Sequence, residues 1–130
     1  MITHRFLGPL VASAALLLTG TWSSNARADD ASFKHEAHPI LLFYCASCHT
    51  PPNGEGFEKS GLDITTYESI MKGTKLGPII VPGDAFSSNM MVLIEGRASK
   101  QLKMPHNDQE LSKWEKTILR RWINRGAKND

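Results

Sequence analysis

From Phe6 to Gly20 the chain is almost continuously apolar; from residue 39 onward, apolar positions recur mainly at three- and four-residue intervals. That second spacing is the period of an amphipathic helix. It predicts a first helix from about Pro39 into Cys45, with proline in the first turn, where its missing N–H costs nothing. Ile40, Phe43 and Tyr44 would form its apolar face, and the polar stretch Asp29 to Lys34 before it reads as frayed. Thr50 to Gly56 is rich in Pro and Gly and reads as a loop ending helical structure. Thr65-Thr66-Tyr67-Glu68 has capping-box form, opening a short helix from about Thr66 to Lys72 that stops at Gly73, with Tyr67, Ile70 and Met71 on one face.

The segment Gly77 to Asp84 is too broken by proline to be a central strand and reads as an ordered loop. Ser87 or Ser88 would cap a further short helix through Met90, Met91, Leu93 and Ile94, ended by Gly96. A second capping box, Ser112-Lys113-Trp114-Glu115, opens a helix to about Arg125, with Gly126 after it. Trp114, Ile118 and Trp122, with Leu119 and Ile123, make its apolar stripe, and Trp122 is expected to pack on Phe43 or Tyr44. The predicted class is all-α and rich in loops.

The apolar run at the start has a different meaning. Arg5 precedes it and Ala26-Arg27-Ala28 follows it, the small-x-small form of a cleavage site. Residues 1–28 therefore read as a secretory signal peptide and 29–130 as one domain. The run is shorter than the roughly 20 apolar residues of a membrane span and is interrupted by Gly8-Pro9.

The full sequence carries a formal charge of +2. Cleavage after Ala28 removes Arg5 and Arg27 and no acid, leaving 13 basic against 13 acidic side chains. A neutral mature chain argues against a nucleic-acid or anionic-membrane binder. Arg120, Arg121 and Arg125 sit toward the end of the last helix, where positive charge suits the helix dipole.

Candidate chemistry enters at Cys45-Ala46-Ser47-Cys48-His49, which contains both cysteines. Two thiols one helical turn apart can each add to a haem vinyl group, and the next residue can offer an imidazole to the iron. A thioredoxin-like dithiol would need a βαβ context, and a zinc site a further ligand pair. No β-alternating segment precedes Cys45, no third cysteine exists, and His35 and His38 lack finger spacing. Those two histidines read as solvated surface residues. A carbonyl between Thr50 and Leu62 is the expected partner of the His49 Nδ1 proton, and the glycines there would let backbone pass close to a flat ring.

On the opposite side, Met104 is the candidate second ligand, a soft thioether on a proline-stiffened loop. Met71, Met90 and Met91 sit at helical spacing and read as core. His106 is the rival to Met104, and an open five-coordinate iron the remaining alternative.

These residues together resemble the planctomycete-type cytochrome c domain among small monohaem c-type cytochromes. The resemblance is carried by Cys45 to His49, Gly61-Leu62-Asp63, Gly77 to Asp84, Met104-Pro105 and Trp122 to Ala127. It implies the cytochrome c fold, with first and last helices packed around one covalent haem c, His49 proximal and Met104 distal. His106 departs from the family pattern. The implied function is periplasmic electron transfer between redox partner proteins; a five-coordinate haem enzyme or gas-binding protein is the alternative.

Overall fold

The computed structural model describes residues 31–106 and 109–130. The leader read at residues 1–28 lies outside the described residues. Among those described, five short α-helices alternate with ordered loops, and the one β feature is an isolated bridge between Thr74 and Gly77. No described helix is long and apolar enough to cross a membrane.

The first helix, α1 (His38–Cys45), grows out of a wider π-type turn at Phe33–Ala37. This corrects the expectation of a frayed start. Phe33 is 3 % exposed, and its ring lies within 4.8 Å of His38, 5.1 Å of Tyr67 and 5.3 Å of Trp122, centre to centre. Burying such an aromatic contributes roughly 1.5–3 kcal/mol, enough to order a polar neighbourhood. Backbone bonds then tie the segment to the other end of the domain: Lys34 N donates to Asp130 O at 3.0 Å, and the Arg125 guanidinium donates to Ala31 O at 2.9 Å.

The buried face of α1 is set by this turn. Ala37, Ile40 and Leu41 are buried and Tyr44 packs against them, while Phe43 is 71 % exposed and not part of the face. The observed stripe falls at i, i+3, i+4 and i+7 counted from Ala37, one turn earlier than the sequence reading began it.

Helix α2 (Glu55–Ser60) was not anticipated. It has no buried residue and a glycine in its first turn, so it leaves no hydrophobic periodicity to read. Helix α3 (Tyr67–Lys72) is capped by Thr66 and Ser69, one residue later than the pattern Thr65 to Glu68 suggested. Thr65 is otherwise engaged: the Asp63 carboxylate accepts from its N–H at 2.8 Å and from its hydroxyl at 2.6 Å. Ile70 is fully buried, and the Tyr67 hydroxyl donates to Ala127 O at 2.8 Å.

The stretch from Gly77 to Asp84 is the expected ordered loop. Ile79 and Ile80 are buried, and Gly83 N donates to Ile123 O at 2.8 Å. Ser88 precedes α4 (Asn89–Ile94) but does not cap it with its side chain. Its buried hydroxyl accepts from Val81 N and donates to Asp84 O at 2.7 Å, stitching the loop to itself.

The last helix, α5 (Lys113–Asn124), opens with the predicted Ser112/Glu115 capping box. Ile118, Leu119, Trp122 and Ile123 are buried, whereas Trp114 is 64 % exposed and leaves the predicted stripe. Trp122 packs on Phe33 rather than on Phe43 or Tyr44, and its indole N–H donates to Lys128 O at 2.9 Å. Tyr44 meets α5 through its hydroxyl, which donates to the Glu115 carboxylate at 3.0 Å. The first and last helical segments are thus tied at both ends, by Phe33 with Trp122 and by Tyr44 with Glu115.

Candidate cofactor site

A cleft of about 320 Å³ opens beside this core, within the usual size of ligand and cofactor sites. Leu41 and Tyr44 of α1, Ile64, Ile79, and Met90 and Ile94 of α4 give it apolar walls. Cys45, Cys48, His49 and Met104 all line it. The fold therefore brings together the four candidate residues from segments 55 positions apart in sequence.

One wall is the end of α1 and the turn after it. Cys48 N and His49 N both donate to Cys45 O, at 3.2 and 2.9 Å, so the motif closes as a single helical turn. Burial pushes the Cys45 thiol up to about 11, with the neighbouring Cys48 adding to the effect. Both cysteines are unpaired with one another.

Burial lowers the pKa of His49, opposed by the Leu62 backbone and assisted by His106. The imidazole is therefore held toward its neutral, ligating form. Nδ1 is buried and makes no hydrogen bond of ordinary geometry, although the Leu62 backbone lies near enough to act on the ring. The carbonyl expected to receive this proton is thus within the predicted stretch but not in hydrogen-bonding alignment.

One glycine seats the ring and a second lets the backbone close on the motif. A Cβ on Gly56 would stand 2.7 Å from His49 Cε1, and one on Gly54 would stand 2.4 Å from Cys48 O. Real side chains do not tolerate either approach, so the loop needs glycine at both positions. Helix α2 then continues from this seat, with Phe57 N donating to Cys48 O at 2.9 Å.

The same cleft is also lined by Met104, Pro105 and His106. Met104 N donates to Leu93 O at 3.1 Å, anchoring the loop to the end of α4. Lys103 beside it pairs with Glu110. Met90 lines the cleft as well as the core, a double role that helical spacing alone did not distinguish.

Neither upstream histidine lines the cleft. His35 is exposed, and His38 hydrogen-bonds Ile64 O at 3.1 Å while stacking on Phe33, so it is a structural residue rather than a solvated one. Among the described residues no group of three or more His, Cys, Asp or Glu could hold a metal ion by itself, which disfavours a zinc site.

The donor set fits an iron porphyrin. A planar apolar ring suits the cleft, the two thiols stand one turn apart, a neutral imidazole has a buried Nδ1 seeking an acceptor, and a thioether lines the same cleft. No curated protein and no solved structure matches the chain significantly. Residues 45–108 match the family model described as Planctomycete cytochrome C. The match begins at Cys45 and takes in Cys48, His49 and Met104, so over these residues the chain is similar to the planctomycete cytochrome C family.

Proposed function

We propose that this chain is a periplasmic electron-transfer protein that holds one haem c, attached through Cys45 and Cys48 and ligated by His49 and Met104, within a cytochrome c fold. The observation that carries this reading is the convergence of all four residues on one apolar cleft. When bound, haem c supplies a one-electron ferrous/ferric couple.

The protein's own residues set the conditions for that couple. Cys45 and Cys48 fix the macrocycle edge to the end of α1. Gly56 seats the His49 imidazole, Gly54 lets the backbone close on Cys48, and the Leu62 backbone is the acceptor available to orient the ring. Met104, held at the end of α4, offers a soft neutral donor, and a His/Met pair favours a higher potential than two histidines. Leu41, Ile64, Ile79 and Ile94 keep water from the ring faces. Redox partner proteins are the exchange partners, and the leader at residues 1–28 would deliver the chain to the compartment where thioethers form.

The test is a mass and absorption spectrum of the exported protein. A mass increase of one haem that survives denaturation is expected, with six-coordinate low-spin bands and the long-wavelength Met-to-ferric-iron absorption. Fast carbon monoxide binding by the reduced protein at neutral pH would instead indicate open iron and refute Met104 as ligand. Titratable thiols on the mature protein would refute the cofactor assignment itself.

A further inference from the structure

A second cavity, about 350 Å³, adjoins the cleft along Lys59, Ser60, Thr74, Ile79 and Leu93. It is lined by none of Cys45, Cys48, His49 and Met104. Its lining includes Lys59 and Lys75 and no Asp or Glu. On the cleft itself, the acid beside this rim is Glu55, paired with Lys59 at 2.5 Å on the exposed surface.

The two lysines are placed by structure rather than by chance proximity in sequence. Lys59 belongs to the last turn of α2, where a cation complements the helix dipole. Lys75 is strapped across the same helix end: its N–H donates to Ser60 O at 2.8 Å and its ammonium to Glu58 O at 2.6 Å. Gly61, at φ +75°, lets the Lys75 stem pass, since a Cβ there would stand 2.9 Å from Lys75 Cγ.

We infer that Lys59 and Lys75 at this joined rim form the binding site for the haem propionates. The inference rests on the haem reading above. A haem bound through its vinyl groups at Cys45 and Cys48 turns its two carboxylates toward the far side of the macrocycle. Anions leaving an apolar cleft require water or cations, and this rim supplies two ammonium groups with no competing acid on the second cavity's wall. The solvent-exposed Lys59–Glu55 pair is screened by water and can exchange partners readily.

The experiment uses exported holoprotein carrying Lys59→Gln, Lys75→Gln, both, Lys75→Arg, or Lys113→Gln as a remote surface control. Resonance Raman reads the propionate bending mode, and a redox titration reads the midpoint potential. Each glutamine variant at the rim is expected to shift the propionate mode and lower the potential, because a cation that opposes ferric iron has been removed. The double variant should shift further, Lys75→Arg should stay near wild type, and Lys113→Gln should leave the mode unmoved. An unchanged propionate mode in both rim variants, or an equal change in Lys113→Gln, overturns the assignment while leaving the haem reading intact. Absence of covalent haem in the wild-type mass overturns both.

Discussion

Replacing Gly56 by alanine tests the seat of His49 with an outcome opposite to the ordinary rule. Gly56 lies inside α2, where Gly→Ala usually stabilises by about 0.5–1 kcal/mol through backbone entropy. Here the new Cβ would stand 2.7 Å from His49 Cε1, 3.0 Å from His49 Nδ1 and 3.0 Å from Cys48 O. Reaching ordinary contact requires the imidazole edge to retreat by about 0.7 Å. Neither neighbour is a flexible chain end: one is a ring, the other backbone of the attachment motif. Overpacking of this kind costs about 1–3 kcal/mol, so subtracting the entropic gain leaves a destabilisation of up to about 2.5 kcal/mol. Urea unfolding of the holoprotein measures the midpoint, and the ferric spectrum reports on the axial field in the same samples. The midpoint should fall and the low-spin bands should shift. A Gly56→Ala protein as stable as wild type, with an unaltered spectrum, would show that the ring is not held by this contact.

Four further outcomes follow from the same geometry. Met104→Ala should abolish the long-wavelength ferric absorption, lower the potential and speed carbon monoxide binding, all read on one preparation. Phe33→Ala should cost about 3–5 kcal/mol in chemical unfolding, since its ring meets His38, Tyr67 and Trp122; a cost under 1 kcal/mol would mean the first turn is peripheral. Ser112→Ala should cost about 1 kcal/mol by removing the α5 cap, whereas Trp114→Ala, on an exposed side chain, should leave the unfolding midpoint nearly unmoved. Finally, stability should decline in acid. Burial raises the pKa of Glu95, yet Arg120 and Arg97 outweigh it and hold the carboxyl below its usual range; the Phe33 N–H and Arg125 do the same for Asp130 against a smaller burial effect. Depressed carboxylates stabilise above the unfolded values of about 4 and lose that contribution as pH falls through the lower folded values. A pH series of urea midpoints should therefore drop below about pH 4, and Glu95→Gln should flatten part of the decline.

What the sequence made legible follows from how local each interaction is. The Ser112/Glu115 box, the stop at Gly73 and the proline-broken loop through Ile79 and Ile80 depend on neighbours within a few residues, and each stands where the pattern placed it. Helix α2 was hidden because it buries nothing: its role is to carry Gly56 against His49, a contact with no hydrophobic period. The N-terminal turn was hidden for the opposite reason. Phe33 stands alone in a polar segment, and only Tyr67 and Trp122, 34 and 89 positions later, supply its pocket. Once Phe33 occupies the face of Trp122, Phe43 has no partner there and turns to solvent.

The two walls of the cleft differ in the same way, and the difference explains how their residues can be assigned. Cys45, Cys48 and His49 are positioned by one helical turn, whose bonds run from Cys48 N and His49 N back to Cys45 O. Their relative placement is written in their spacing. Met104 has no such local guarantee; it reaches the same cleft because α4 packs on α5 and because Met104 N is fastened to Leu93 O. Its arrival at the cleft is thus a consequence of the buried Ile118, Leu119, Trp122 and Ile123 stripe as much as of its own loop. A change that loosens α5 should therefore weaken the Met104 side before the attachment side, so distal ligation reports on tertiary packing while thioether attachment does not. On the proposed haem reading, that asymmetry also separates two roles of the chain: the motif at the end of α1 would capture the cofactor, and the remainder of the fold would determine what its iron meets.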